Sequence, residues 1–154
     1  MDWDCPACNL IVPWRPLNLN PVTHRPESLG ELAEHADSIE AWGLALGDFL
    51  DEIAYRRRHG LPIASWLHAA PPLLREKFPQ GELAAAFAAA LATQLAADHL
   101  QEPPPGWTQA RERFLGSPWY ADDSPKLREY LHTSTPTAFR KHGIYIDAIS
   151  LSRA

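Results

Sequence analysis

The sequence contains little cysteine: only two of its 154 residues, Cys5 and Cys8, both near the N-terminus. It also lacks the basic region that opens a secretory signal, because its first residues include the acidic Asp2 and Asp4. Without export, a structural disulfide is not expected, and the two thiols are predicted to be reduced or bound to a metal. A run of about 18 apolar residues, which a membrane-spanning helix requires, is missing as well. We therefore expect a cytoplasmic protein without a membrane span.

Recognised catalytic motifs are also missing. The seven histidines are scattered, and none belongs to an H-E-x-x-H zinc motif. No G-x-S-x-G nucleophile motif or phosphate-binding glycine loop is present. A non-catalytic protein is therefore the favoured interpretation.

The charge balance disfavours broad binding to nucleic acid or to an anionic membrane, because the formal net charge is −5. Two local basic clusters run against this balance, Arg56–His59 and Arg140–His142. Both lie at predicted helix C-termini, where the helix dipole already favours cations. Nucleic-acid contact would require the two clusters to converge in space, and it is the less favoured interpretation.

What the sequence does have is enough apolar side chain for a core, since 45% of its residues are hydrophobic and 21% are charged. Its 15 prolines lie mostly between helical segments. Five of them fall in residues 1–27, which predicts an extended arm there. Residues 28–154 are predicted to form a single all-α domain, a helical bundle.

Three parts of this bundle are predicted. A long N-terminal helix over residues 28–60 is indicated by a capping box at Ser28 and Glu31 and by apolar residues at steps of three and four. An alanine-rich central helix covers residues 82–100. Several short C-terminal helices follow, divided by prolines.

One of these short helices is predicted to begin with Thr135 as its N-cap and to end at Gly143, with Phe139 buried. The "IYID" segment after it is expected to pack on helices as an extended segment without a strand partner. In the long helix, Gly43 is expected to mark a kink or the close approach of another backbone.

The C-x-x-C pair of Cys5 and Cys8 is a candidate half of a tetrahedral zinc site, with His24 as a further ligand. A closed site needs two more ligands, and no second pair of matching spacing exists. Two incidental thiols in the arm are therefore the favoured interpretation. We expect no cofactor, with zinc as the alternative.

A second candidate site is the pair Arg128 and His132, four residues apart and hence on one helix face. An arginine–histidine pair of this kind could cleave RNA, although the spacing is one residue shorter than in the motif of small helical ribonuclease toxins. Two exposed polar residues are the simpler interpretation. The aromatic residues Trp119 and Tyr120 belong to a stretch that either joins short helices or forms a protein interface.

The C-terminal part resembles the end of a family of small bacterial helical proteins. The matching order is Trp-Thr, Pro-Trp-aromatic, a Ser-Pro-x-x-Phe-Arg helix, an Ile/Val-rich step and a final Leu-x-Arg-Ala. In this chain the steps are Trp107 and Thr108, Pro118 to Tyr120, Pro136 with Phe139 and Arg140, residues 144–147, and Leu151 with Arg153 and Ala154. Thr135 replaces the family's serine, and residues 1–27 lie outside the resemblance.

Proteins of this family are encoded beside nucleotidyltransferase-like proteins, in gene pairs like toxin–antitoxin modules. The resemblance implies an antitoxin-like partner role and supplies no catalytic residues. We therefore expect a non-catalytic protein that binds and restrains a nucleotidyltransferase-like partner. The expected contact residues are Trp119, Tyr120, Arg140 and Lys141. The alternatives are a ribonuclease that uses Arg128 and His132, and a nucleic-acid-binding regulator with zinc at Cys5 and Cys8.

Overall fold

The computed structural model describes residue 26, residues 28–122 and residues 124–151. This part of the chain is mostly helical, as the sequence predicts, and it contains two short strands. The α-helices are α1 (Leu29–His35), α2 (Ile39–Arg58), α3 (Ala64–His68), α4 (Gly81–Leu95), α5 (Pro125–Ser134) and α6 (Thr137–Lys141). The strands are β1 (Trp119–Tyr120) and β2 (Ile144–Tyr145). A π-helical turn, Ala96–Leu100, continues α4, and 3-10 turns cover Gly106–Gln109, Arg111–Arg113 and Ala148–Leu151.

The single helix predicted over residues 28–60 is wrong, because two helices occupy this range. Ser28 caps α1 as predicted, and its Oγ accepts the Glu31 backbone N–H at 3.3 Å. Ala36 is extended, with φ −88° and ψ 128°, and this ends the helix. Ser38 then caps α2, where its Oγ accepts the Ala41 N–H at 3.1 Å. The serine hydroxyl offers the backbone an alternative to a continuous helix, and this local signal outweighs the apolar spacing.

The C-terminus of α2 is followed by Gly60, the residue at which the predicted helix over residues 28–60 also ends. Gly60 has a positive φ of 65°. The Leu61 N–H donates to the Arg56 carbonyl at 2.9 Å, and the Gly60 N–H donates to the Arg57 carbonyl at 3.2 Å. These two bonds form a Schellman motif, which satisfies carbonyls that the helix leaves open.

Helix α4 is the centre of the molecule. It packs against α2, α6 and the 3-10 turns between residues 106 and 113. Its alanines are buried almost all round the helix, and Leu91 is 1% exposed. The range Gly81–Leu100 is long and apolar enough to cross a membrane, but 61% of this apolar stretch is buried inside the protein. A core helix with partners on most sides has this same composition.

The last third of the described chain contains a strand pair that the sequence prediction missed. Strand β2 runs parallel to β1, with Trp119 opposite Ile144 and Tyr120 opposite Tyr145. The expectation that the "IYID" segment has no strand partner is therefore wrong. Its partner lies 25 residues earlier by this register, and such pairing leaves no local pattern in the sequence.

Helix α6 ends at Lys141, and Gly143, two residues later, has a positive φ of 86°. Phe139 is 0% exposed and meets Phe87 edge to face at 5.1 Å, so its predicted burial is confirmed. The predicted N-cap is wrong, because Pro136 occupies the cap position. The Thr135 hydroxyl instead lies 2.6 Å from the Leu131 carbonyl and 2.9 Å from the Ile146 carbonyl. It thereby connects the end of α5 to the segment after β2.

Candidate functional site

Two tyrosines from neighbouring strands form the base of the candidate site. Tyr120 on β1 and Tyr145 on β2 are register partners, so their side chains leave the strand pair on the same face. Their rings stack with centroids 4.8 Å apart and an angle of 17° between the planes. Both residues are half-buried, so each ring keeps part of its surface open to solvent.

Helix α5 brings the predicted pair Arg128 and His132 onto these rings. His132 Nε2 lies 2.9 Å from the Tyr120 hydroxyl oxygen, and its ring lies 4.8 Å from that of Tyr145. The Arg128 Cζ atom lies 4.5 Å from the centre of the Tyr120 ring, in cation–π geometry. We call Tyr120, Arg128, His132 and Tyr145 the tyrosine cluster.

The tyrosine cluster is a surface feature. Arg128 and His132 are both exposed, and at one flank the Tyr130 hydroxyl donates to Asp147 Oδ2 at 3.1 Å. The cluster offers aromatic faces, a fixed cation and an imidazole in one place. It can therefore stack on a flat partner group and pair with an anion. Sequence spacing identified Arg128 and His132, but the register partner Tyr145 was missed, because its only signal is the strand pairing.

The other predicted partner-binding residues differ in their exposure and in their contacts. Trp119 is half-buried and packs against the hydrophobic core, as expected for the neighbour of Tyr120 on a strand. Arg140 and Lys141 are exposed at the end of α6, where Arg140 Nη2 donates to Thr137 Oγ1 at 3.1 Å. They remain open to a partner, whereas Trp119 mainly stabilises the fold.

The predicted basic cluster Arg140–His142 has only two exposed members in the structure, Arg140 and Lys141. His142 is 2% exposed, and its ring stacks on Phe114 at 4.2 Å. Its Nδ1–H donates to the Arg113 carbonyl at 2.7 Å. Burial lowers the pKa of His142, the nearby Lys141 lowers it further, and the hydrogen bond to Arg113 opposes both effects. His142 is therefore a neutral core residue and no surface cation.

In the other predicted basic cluster, Arg56 has a structural role. Its Nη1 donates to the Pro62 carbonyl at 2.9 Å. Its guanidinium also lies 4.2 Å from the centre of the Trp66 ring. Arg57 and Arg58, one and two residues further along, are exposed at the helix end.

The proposed zinc ligands Cys5, Cys8 and His24 lie outside the described residues. Within the described residues, no group of three or more histidine, cysteine, aspartate or glutamate side chains could hold a metal ion. The zinc alternative stays a prediction. The zinc content of the purified full-length protein measures it directly.

Comparisons of the chain with protein-family models, with curated proteins and with solved structures gave no match.

Proposed function

We propose that this chain is a non-catalytic interaction protein and that the tyrosine cluster is the centre of its contact surface. The observation that supports the proposal is an exposed group of two tyrosines, an arginine and a histidine, already stacked on one another in the free chain. Tyrosine and arginine are the residue types that most often dominate protein interfaces. Rings that are fixed before binding lose little side-chain freedom on binding, which favours affinity.

The proposed partner is a nucleotidyltransferase-like protein, which the chain would bind and restrain in an antitoxin-like manner. The resemblance of the C-terminal sequence supports this choice. The net charge of −5 suits a basic surface on the partner and would raise the association rate. Arg140 and Lys141 would contact acidic groups near the partner's metal site.

The experiment is co-purification of the full chain from its native host, with the captured protein identified by sequencing. Binding of that purified partner is then measured with variants. Tyr120→Ala should weaken it by about 2 kcal/mol, roughly thirtyfold, because a preformed aromatic anchor is lost. Leu44→Ala is the control, since Leu44 is 77% exposed on α2 and belongs to no part of the cluster.

A growth assay with each gene alone then shows which protein is toxic. The proposal fails if the captured protein has no nucleotidyltransferase-like sequence. Equal binding by the Tyr120 and Leu44 variants would show that the contact surface lies elsewhere.

A second candidate function is metal-independent RNA cleavage. The observation that favours it is that Arg128 and His132, both exposed, contact the same side chain: Arg128 lies over the Tyr120 ring and His132 lies 2.9 Å from the Tyr120 hydroxyl. In such a reaction a base removes the proton of the ribose 2′-hydroxyl, whose oxygen attacks phosphorus. The bond to the 5′-oxygen breaks, and that oxygen receives a proton. His132 would exchange the protons, and Arg128 would stabilise the charge on the phosphate.

The two candidates predict opposite results for the isolated protein. If the chain is a ribonuclease, it cleaves single-stranded RNA in the presence of a chelator, and His132→Ala abolishes the cleavage. If it is an interaction protein, RNA remains intact, and the tyrosine cluster variants change only the binding of the partner.

A further inference from the structure

The π-helical turn after α4 lies beside the end of α2. Residues Ala96–Leu100 form this turn, and Gln101 ends it with a left-handed φ of 48°. π-helical turns are rare, and they occur frequently at functional sites. Here the turn carries Asp98 and His99, which share the lining of two neighbouring cavities with Arg57 of α2.

The first cavity is an apolar cleft of about 260 Å³ between α2 and α4. Its wall is aliphatic, with Leu50 and Ile53 from one helix and Leu91 and Leu95 from the other. Leu151 of the last 3-10 turn also contributes. The second cavity, about 440 Å³, continues past Arg57 and His99 towards residues 60–63. The cleft thus has an apolar interior and a polar rim.

The polar rim has one exposed cation that can contact a ligand, Arg57, together with the carboxylate of Asp98. The Nδ1 atom of His99 is buried and has no hydrogen-bond partner among the described residues. Arg57 is exposed, and none of the described side chains forms an ion pair with it. The neighbouring carboxylate is engaged, because Asp98 Oδ2 accepts a hydrogen bond from Gln94 Nε2 at 2.9 Å.

Burial lowers the pKa of His99, and the nearby Arg57 lowers it further, while the backbone and the carboxylate of Asp98 oppose this. The ring is therefore neutral near pH 7 and adds no positive charge to the rim. Arg57 is the cation of the rim, and its planar guanidinium matches a carboxylate.

We propose that this cleft binds a small amphipathic carboxylate, with its aliphatic chain against the leucines of α2 and α4 and its carboxylate at Arg57. The site is separate from the tyrosine cluster. Its ligand is defined by an aliphatic body of limited length and a single anionic head.

Isothermal titration calorimetry of the full chain with sodium octanoate tests the site. Octanoate should bind saturably at millimolar concentration or below. Octan-1-ol, which has the same chain without the charge, should bind about tenfold more weakly, because the contacts to Arg57 are lost. Acetate, which lacks the chain, should show no saturable binding.

Three variants separate the two halves of the site. Arg57→Gln should weaken octanoate binding about tenfold, whereas Arg58→Gln, its exposed neighbour, should leave it unchanged. Ala54→Phe places a ring in the cleft and should abolish binding while the cation stays in place. Far-ultraviolet circular dichroism checks that each variant is folded.

Equal affinity for octanoate and octan-1-ol would overturn the proposal, and so would the absence of saturable octanoate binding. An equal effect of the Arg57 and Arg58 substitutions would show a general charge effect and would also overturn it. The comparison of the two ligands on the unaltered chain needs no variant, so the proposal can fail even if one substitution unfolds the protein.

Discussion

His142 shows at the scale of one residue how burial decides the behaviour of a polar group. The pKa of its imidazole is lowered from the ordinary 6.5, chiefly by burial. Well above pH 6.5 the ring is neutral in both the folded and the unfolded chain, so it adds no pH dependence there. As the pH falls through 6.5, the unfolded chain takes up the proton first, and the folded state loses stability. The loss ends below the lowered pKa of the folded state.

We expect the free energy of unfolding to fall between pH 7.5 and pH 5.5, and His142→Phe to reduce that slope. The phenylalanine keeps a ring against Phe114 but cannot take up a proton. Urea unfolding at several pH values measures both chains. Some slope should persist in the variant, because the pKa of His99 is lowered in the same direction. An unchanged slope would mean that His142 takes up its proton at the same pH in the folded and the unfolded chain.

The sequence could predict the burial of Phe139 but not that of its neighbour His142. A phenylalanine at the centre of a short helix is expected to be buried, because leaving its ring in water costs free energy. A histidine beside Arg140 and Lys141 shows the same sequence pattern whether it lies in a surface cluster or in the core. In the core, the His142 ring donates a hydrogen bond to the Arg113 carbonyl, 29 residues away in the chain. No local pattern in the sequence indicates that contact.

At the scale of the elements, helix ends with local chemistry were predictable and strand pairing was not. Ser28, Gly60 and Gly143 act within a few residues of themselves, so the chain shows their effect directly. Ser38 carries the same kind of signal, but the apolar spacing on either side of it is continuous and indicates a single helix. The pairing of β1 with β2 depends on how α5 and α6 fold back between the strands, which depends on packing.

Two glycines in different helices should respond oppositely to alanine. A Cβ atom at Gly43 in α2 would meet nothing within 4 Å, so the expected close approach of another backbone does not occur at this glycine. Gly43→Ala should raise the free energy of unfolding by about 0.5–1 kcal/mol, because alanine loses less backbone freedom on folding. At Gly81, the first residue of α4, the Cβ would lie 1.8 Å from the Leu74 carbonyl oxygen. Gly81→Ala should therefore lower the stability by more than the gain at Gly43.

Thermal unfolding followed by circular dichroism compares the two glycine variants with the unaltered chain. Each serves as the control for the other, because the substitution is identical and both positions are helical. A rise in midpoint for Gly81→Ala would mean that the segment before α4 moves away without cost.

For the whole molecule, the candidate site is assembled from parts that are distant in sequence. Tyr120, His132 and Tyr145 belong to β1, α5 and β2. Only the pair on α5 shares a helix face, and that pair was the only part of the cluster that spacing could reveal. Helix α4 was predictable because its composition is apolar throughout. The surface cluster depends on the packing of elements around that helix.

The C-terminal segment should be essential to the fold as a whole. Ile144 and Ile146 are 0% and 4% exposed and belong to the hydrophobic core. Burial of each contributes about 1.5–3 kcal/mol, and β2 adds its bonds to β1. This sum is comparable with the total stability of a typical domain, about 5–15 kcal/mol. A chain that ends at Gly143 should therefore lose cooperative thermal unfolding.

A chain that begins at residue 26 is the matched truncation, because the core residues named above lie within residues 29–146. It should keep its helical circular dichroism and a cooperative transition, as the prediction of an arm before a single domain requires. Calorimetry of both truncated chains decides the matter. If the chain ending at Gly143 unfolds with an unchanged midpoint, then the parallel strand pair does not hold the molecule closed. If the chain starting at residue 26 fails to fold, the domain does not begin where the sequence predicts, since residues before it would then belong to the core.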